Sequence, residues 1–386
     1  MKSFERYCSH LLCSATHEQE CPCHVQIARS TTSIMEDVMT KLIPSVFCLV
    51  LTLASWQFVS SAEPVTLDNV VKPAPNKPDE PIAVEFSLNA AANFLDSASL
   101  QWQKQRKCMT CHTNYAYLFA RPGISSDVPA HRDVRRFAEQ LVSQRWKEKG
   151  PRWDAEVVAT AAALSFNDAA TTGELHSATR EALDRMWTVQ REDGGWDWLK
   201  CGWPPMESDD HYGVTLAAIA VGAAPDDYAK TEAAQNGIKQ IRKYLTNNPP
   251  PTLHHQAMLV WAGSYVDGLI SQQENKNSIE KLLSLQKEDG GWALATLGDW
   301  KRSDGKQQDF EKSDGYGTGL VIYTLRRTGM SADSSPIQKG IHWLKTHQRE
   351  SGRWFTRSLN RDNMHFISHA GTAMAVMALS ECAQLP

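Results

Sequence analysis

Three carboxylates cluster in the segment Glu207-Ser-Asp209-Asp210. Carboxyl groups this close in one pocket cannot all ionise without cost, so such a cluster can keep one of them protonated as an acid. The segment also opens a predicted helix, and a helix N-terminus favours the anionic form. Aspartate at such a position is an ordinary capping residue. Two roles therefore remain open for these residues: acid catalysis, or capping and a polar rim.

A second reactive group is Cys108-Met-Thr-Cys111-His112. Its spacing matches the attachment site of c-type haem, in which two thiols form thioether bonds and the adjacent histidine binds the iron. By this resemblance Cys108 and Cys111 would carry haem c, and His112 would be an axial ligand. A disulfide or redox pair and a zinc or other metal site remain as alternatives.

The N-terminal segment predicts export. Residues 39–62 have a basic start at Lys41, an apolar middle, and Ser60 and Ala62 at the −3 and −1 positions of a cleavage site, which is typical of a signal peptide. We interpret residues 1–38 as a misassigned extension of the reading frame. We therefore expect a periplasmic or extracellular protein, cleaved near Ala62.

Composition and proline content set the remaining boundaries. The 386 residues are 42% hydrophobic and 22% charged with a net charge of −4, so an ordinary globular protein without a nucleic-acid partner is expected. Residues 63–84 contain five prolines and predict an extended linker. Residues 85–386 are then left as the folded domain.

The elements that position the reactive residues follow an internal repeat. Three segments share the pattern Gln-x-x-x-Gly-x-Trp, namely Gln190–Trp196, Gln286–Trp292 and Gln348–Trp354, and a looser version begins at Gln144. Before each glutamine the apolar residues recur at helical spacing, and after each tryptophan comes a segment that is apolar on nearly all sides. The repeat predicts stacked pairs of one half-exposed outer helix and one buried inner helix.

An initial pair over 88–105 and 113–120, and a degenerate copy near 237–245, bring the prediction to six outer and six inner helices. We expect an all-α fold in which they close into a single (α/α)6 toroid. Glycine in the motif suits a chain reversal, the tryptophan ring covers apolar surface, and the glutamine amide satisfies groups at helix ends. The motif residues are therefore expected to be structural.

In such a ring all inner helices point the same way, so their N-terminal ends meet at one mouth above an apolar central cavity. Convergent polar groups above such a cavity are the usual form of a ligand site. His211, His254 or His369 could then supply a second axial haem ligand. The predicted mouth residues are His112, Asp209, Asp210, His211, His254, His255, Asp314, Tyr316 and His369.

The repeat resembles the QW motif of the squalene-hopene and oxidosqualene cyclases, whose α/α toroid is shared with protein prenyltransferase β subunits. The resemblance covers about residues 88–386. Those cyclases carry Asp-x-Asp-Asp, whose middle aspartate protonates the substrate, so the resemblance implies Asp209 as proton donor, with Glu207 in place of the first aspartate. They also resemble two joined barrels, whereas one fits here.

Prenyltransferase β subunits bind zinc through an Asp-x-Cys pair and a distant histidine at inner-helix starts. Asp314-Gly-Tyr316 and His369 occupy similar positions. Because Tyr316 stands where the cysteine should be, one ligand is missing and zinc is not expected.

The sequence thus favours an exported, terpene-cyclase-like toroid that binds a polyprenyl or triterpenoid hydrocarbon such as squalene. Any catalysis would be that of a cyclase-type isomerase acting through Asp209; whether the protein is an enzyme stays open. One alternative is a c-type haem protein that meets a redox partner. Another is a helical barrel that binds or cleaves glycans. Peripheral contact with a membrane is compatible with the apolar ligand.

Overall fold

The computed structural model describes residues 63–363 and 365–385. The predictions for residues 1–38 and 39–62 therefore lie outside the described residues. None of the described helices is long and apolar enough to cross a membrane. The α-helices are α1 Leu88–Arg106, α2 Asn114–Ala120, α3 Pro129–Gln140, α4 Trp146–Lys149, α5 Asp154–Thr171, α6 Ser177–Thr188, α7 Asp210–Ala223, α8 Glu232–Asn247, α9 Leu253–Gly263, α10 Gln272–Ser284, α11 Gly315–Arg327, α12 Ser335–Thr346 and α13 Ile367–Glu381.

Six of these helices form an inner ring: α2, α5, α7, α9, α11 and α13. Each packs against the next along the chain, and α13 packs against α2, so the ring is closed. Their side chains are almost wholly buried, as expected for segments that are apolar all round. The outer layer consists of α1, α3, α6, α8, α10 and α12, with α4 continuing α3 after a π-helical turn. The predicted (α/α)6 toroid is confirmed.

The repeated motif fastens each unit to its neighbours. The indole nitrogen of each motif tryptophan donates to a carbonyl near the end of the preceding outer helix, at Met186, Leu282 and Leu344. The amide of each motif glutamine donates to the carbonyl of its own glycine and to a carbonyl at the start of the next outer helix. Those second acceptors are Gly237, Pro336 and, across the ring closure, Ser87.

The motif glycines are required by a close approach between units. Gly352 has φ +90°, and a Cβ there would lie well inside contact distance of the Ala90 carbonyl oxygen. Gly290 has φ +92° and faces the Lys339 carbonyl in the same manner. Glycine alone combines this conformation with such an approach.

Residues 63–84 are predicted as an extended linker, and the second half of this segment is hydrogen-bonded to the folded domain. Residues 73–84, called the strap below, are bound to the last motif: the Ala83 N–H donates to Gln348 O at 2.8 Å, and the Glu350 N–H donates to Pro81 O at 3.0 Å. Prolines remove N–H donors but keep carbonyl acceptors. The buried Arg353 also binds the strap, donating to Ala74 O at 2.9 Å and pairing with Glu80.

Candidate functional site

The N-terminal ends of the inner helices meet at one end of the barrel, where three loops cover them. We call residues 198–208, 294–313, 355–363 and 365–366 together the cap. The loops are joined to one another, since Asn360 Nδ2 donates to Gly202 O at 2.9 Å and Gln308 Nε2 donates to Leu359 O at 2.9 Å. Arg361 also lies over the ring of Trp203 at 5.1 Å. The cap therefore shields this mouth from water.

Under the cap, four rings from four inner helices converge on the barrel axis. This axis cluster consists of Tyr115, Tyr212, His254 and Tyr316, each in the first turn of its helix. His254 stacks on Tyr212 and Tyr316 with ring centroids 6.2 and 5.8 Å away, and its Nε2 lies 3.0 Å from the Tyr316 hydroxyl. The hydroxyls of Tyr115 and Tyr212 are hydrogen-bonded. Burial raises the pKa of all three phenols and lowers that of His254, so the cluster is neutral.

A second aromatic layer lies deeper along the axis, formed by Phe119, Phe166, Trp261 and Tyr323, whose rings contact one another. Aromatic side chains thus fill the axis at two levels. A cavity of about 480 Å³ opens beyond them, at the C-terminal ends of the inner helices. Bulky rings thus lie beneath the polar mouth, where the sequence predicts an apolar cavity.

Glu207 is the carboxyl group most altered by its surroundings. A short bridge with Trp203 fixes its backbone within the first loop of the cap, and the residue is only 8% exposed. Burial raises the pKa of Glu207 to about 7. Burial is the main cause that raises the pKa of Cys111, and Glu207 adds to it. Burial likewise raises the pKa of Tyr115, and Cys111 and Glu207 add to that effect. The three groups therefore lie close together. Glu207 is therefore a buried acid that is about half protonated at neutral pH.

Asp209 has the opposite character. It is the N-cap of α7, where its Oδ1 accepts from the Tyr212 N–H at 3.2 Å and lies 3.1 Å from His255 Nε2. Burial acts to raise its pKa, but the contact with His255 and the backbone hydrogen bond hold the pKa below its ordinary value. Asp209 is thus held as an anion, which cannot donate a proton.

Asp210 points away from the axis, towards two cations. Arg191 Nη1 and Lys200 Nζ each lie 2.9 Å from its carboxylate, which also accepts from the Trp198 N–H. Its contacts link the motif loop to the start of α7. Of the three clustered carboxylates, one is therefore a buried acid and two support the structure.

Two predicted histidines lie behind Asp209, between α7 and α9. The rings of His211 and His255 are 5.2 Å apart, and His255 Nδ1 is 2.7 Å from Thr252 Oγ1. Burial lowers the pKa of His211 to about 4, so it is neutral. His255, the sequence neighbour of His254, also contacts it, with ring centroids 5.6 Å apart.

His112 and His369 form a third group, at the seam between α2 and α13. Thr113 Oγ1 bridges them, lying 2.8 Å from His112 Nδ1 and 3.3 Å from His369 Nδ1. The His112 ring stacks on Phe366 and meets the edge of Trp102 at 4.7 Å between centroids. Burial lowers the pKa of His112 to about 4 and that of His369 to about 3.

This arrangement does not fit a c-type haem. Attachment needs both thiols and the histidine to face one macrocycle. Cys111 instead lies among Glu207 and the tyrosines, whereas His112 lies among the rings of Trp102 and Phe366. Cys108 and Cys111 are 0% and 3% exposed. The haem stays a prediction of the sequence.

The residues predicted by likeness to a zinc site are also separated. Asp314 is the N-cap of α11 and accepts from the Gly317 and Leu294 N–H groups and from Thr356, although burial raises its pKa to about 6. Tyr316 belongs to the axis cluster, and His369 lies at the seam. Within 63–363 and 365–385, no group of three His, Cys, Asp or Glu side chains could hold a metal ion.

A further cavity of about 660 Å³ lies at the edge of the cap and has carboxylates in its lining. The carboxylates of Asp289, Asp314 and Asp362 already accept hydrogen bonds or form ion pairs within the protein. Asp289 accepts from Trp343 Nε1 and Ser313, and Asp362 pairs with Arg302 and Arg357. Their contacts indicate a structural role.

With this geometry established, the chain can be compared with known proteins. A squalene–hopene cyclase from Zymomonas mobilis is 26% identical over 241 residues, which are 53% of this chain and 34% of that protein. The chain therefore spans about a third of the cyclase. No family model matches the chain.

Two solved structures resemble the fold. A wild-type glycosidase has a TM-score of 0.52 at 10% identity, covering 77% of this chain and 97% of that chain. An ent-copalyl diphosphate synthase from Streptomyces platensis has a TM-score of 0.47 at 15% identity, covering 70% and 50%. The glycosidase shows the fold alone. The chain is an α/α toroid with sequence similarity to a terpene cyclase.

Sequence reasoning missed the axis cluster. Tyr115 and Tyr212 were not among the expected mouth residues, although His254 and Tyr316 were. A signal was present: each of the four follows an inner-helix start by one or two residues. Aromatic residues at that position in four units would have indicated a filled axis.

Proposed function

We propose that this protein is a cyclase-like enzyme that protonates an isoprenoid hydrocarbon, with Glu207 as the acid. The proposal is supported most by one observation: Glu207 is a buried carboxyl with a pKa of about 7, held in the first loop of the cap. The sequence similarity to a squalene–hopene cyclase supports the hydrocarbon substrate class. Asp209 is not proposed as the donor, because His255 and the helix N-terminus hold it as the anion.

The chemistry would run as follows. The O–H bond of Glu207 breaks as a C–H bond forms at one carbon of an alkene, leaving a carbocation at the other carbon and a carboxylate at Glu207. Aromatic faces stabilise such cations, and the axis cluster offers three phenol rings and an imidazole. The cap excludes the water that would trap the cation. Loss of a proton from the cyclised cation to the Glu207 carboxylate restores the acid.

An apolar chain would reach Glu207 by passing between the cap and the axis cluster. Opening of the cap is therefore part of the proposal, because polar contacts join its loops. Lids of this kind commonly control access to a closed site. We also propose that the protein acts after export, as the predicted signal peptide implies.

The test is incubation of the purified protein with squalene, followed by mass spectrometry of the cyclised products. Glu207→Gln should lower product formation by about 100-fold or more, the usual contribution of a general acid. Asp209→Asn should retain most of the activity, because asparagine caps a helix as well as aspartate does. Wild-type activity should fall as the pH rises above about 7, since the acid form of Glu207 is required.

Two outcomes would refute the proposal. Wild-type protein of native fold that forms no cyclised product would exclude the enzymatic function. Equal losses in Glu207→Gln and Asp209→Asn would exclude the assignment of the acid. Neither alternative function is proposed, because Asp289, Asp314 and Asp362 at the cap edge are engaged and both thiols of the cysteine motif are buried.

A further inference from the structure

Glu207 is held in a tight turn of the first cap loop. Its N–H donates to the Trp203 carbonyl at 3.0 Å, and the Trp203 N–H donates to the Glu207 carbonyl at 3.4 Å. The indole nitrogen of Trp198 also donates to Met206 O at 2.6 Å. Because burial is what raises the pKa of Glu207 to about 7, contacts that keep this turn from water also set the strength of the acid.

A side chain of the third cap loop, Asn360, joins all three loops. Its Nδ2 donates to the carbonyl of Gly202, the residue before Trp203, at 2.9 Å. Its Oδ1 accepts from the hydroxyl of Ser303 in the second loop, and its backbone carbonyl accepts from the Ser303 N–H at 3.0 Å. Asn360 is itself only 9% exposed. Loss of its amide would therefore take a partner from a carbonyl of the first loop, which weakens the attachment of that loop.

The two residues after Asn360 hold it beside this turn. The guanidinium of Arg361 lies over the ring of Trp203, 5.1 Å from its centroid. Asp362 accepts from Nη2 of the buried Arg302, in the second loop, at 2.7 Å. The third loop is thus fixed to the second and covers the turn of the first.

We propose that Asn360 is a positioning residue for the proposed acid, holding the first cap loop in place so that Glu207 stays shielded from water. Asn360 acts through Gly202 and the turn that joins Trp203 to Glu207. Its effect on the reaction rests on the proposed function of Glu207, whereas its effect on the Glu207 carboxyl does not.

The first experiment titrates Glu207 in the purified full chain by infrared spectroscopy, with no substrate present. The carboxyl band of each protein is the difference from the same protein carrying Glu207→Gln. Asn360→Leu keeps the shape of the side chain but removes its donor and its acceptor. It should lower the midpoint of the Glu207 titration by about one pKa unit or more, from about 7 towards the ordinary 4.5, because water then reaches the carboxyl.

Two more variants accompany this titration. Asn363→Leu is the matched control, because Asn363 lies on the same loop with an exposed side chain, and it should leave the midpoint unchanged. Asn360→Ser disturbs the packing less but is too short to reach the Gly202 carbonyl. It should lower the midpoint as Asn360→Leu does, and circular dichroism checks the fold of each variant.

The second experiment compares the pH profiles of product formation from squalene. A pKa lowered by about one unit leaves about a tenth of Glu207 protonated at pH 7 instead of about half, so Asn360→Leu should be about fivefold slower there. Near about pH 5 both proteins carry the acid form, and their rates should match. A general structural defect would instead lower the rate by the same factor at every pH.

The two experiments separate the positioning role from the proposed reaction. Absence of product from every protein would refute the reaction but leave the titration of Glu207 as a test of Asn360. The positioning role is overturned if both Asn360 variants leave the midpoint unchanged, if Asn363→Leu lowers it equally, or if the rate falls by one factor at every pH. Loss of the native fold in both Asn360 variants would also overturn it, because Asn360 would then hold the fold and not the acid.

Discussion

Glu207 and Asp209 are two residues apart, but their environments favour opposite protonation states. Glu207 lies before the helix, in the first loop of the cap, where burial is the cause that raises its pKa. Asp209 is at the N-cap, where a backbone N–H and His255 stabilise the anion. The sequence identified the cluster but could not tell which member is the acid, because burial depends on cap loops contributed by distant parts of the chain.

The raised pKa of Glu207 predicts a pH dependence of stability. The folded state holds this proton more tightly than the unfolded chain, whose glutamate has an ordinary pKa of 4.5. The contribution of Glu207 to stability is therefore greatest at low pH and is lost as the pH rises through about 7. At about 1.36 kcal/mol per pKa unit the loss is on the order of 3 kcal/mol.

Glu207→Gln should abolish that loss. Chemical denaturation of both proteins between about pH 4 and pH 8 measures it as a widening difference in unfolding free energy. Asp209→Asn is the control, since the lowered pKa of Asp209 predicts no such trend in this range. A pH-independent difference between wild type and Glu207→Gln would show that Glu207 ionises normally.

The helix pairs are held together by the Gln-Gly-Trp motif, whose structural role the sequence predicted. The sequence could not predict which carbonyl accepts the hydrogen bond from each tryptophan and each glutamine side chain. Each tryptophan N–H reaches back ten residues, whereas each glutamine reaches forward to the next outer helix. Only the packed structure shows that the last motif bonds to the first helix.

Substitution of Gly352 tests this packing, because the cost of backbone strain can be separated from the cost of a steric clash between units. Gly305 also has positive φ, +70°, but a Cβ there would meet nothing within 4 Å. Gly305→Ala should thus cost only the conformational strain, about 1–2 kcal/mol. Gly352→Ala adds a clash with the Ala90 backbone between the last and first units.

We expect Gly352→Ala to destabilise the protein by at least about 3 kcal/mol, in the range of overpacked interiors plus strain. Denaturant unfolding of both variants measures the difference. Equal destabilisation by the two substitutions would mean that the units do not approach as closely as described.

At the scale of the whole molecule, the toroid has two unlike ends. The N-terminal end is covered by the cap, and the C-terminal end opens into a cavity. The strap reinforces the point of ring closure, because it bonds to the motif that also holds α1. The buried Arg353 is the centre of these contacts, reaching Ala74, Asn76 and Glu80.

Arg353→Met should therefore destabilise the protein by about 3–5 kcal/mol, the cost of removing one partner of a buried ion pair. Arg132→Met is the control, because Arg132 pairs with Asp127 on the surface and such pairs contribute about 0–1 kcal/mol. Denaturant unfolding of the two variants measures both effects. Similar small losses would show that the strap contributes little to ring closure.

The sequence by itself determined the helix pairs, their number, the ring and the structural motif, because helical periodicity and repeated turns are local signals that recur six times. Only the tertiary structure decided that aromatic rings fill the axis, that the strap is bound, and that Glu207 rather than Asp209 is protonated. It also placed the adjacent residues Cys111 and His112 in different surroundings, with Cys111 near Glu207 and His112 against Trp102 and Phe366. These properties depend on which distant loops exclude water from a side chain, and no local pattern carries that information.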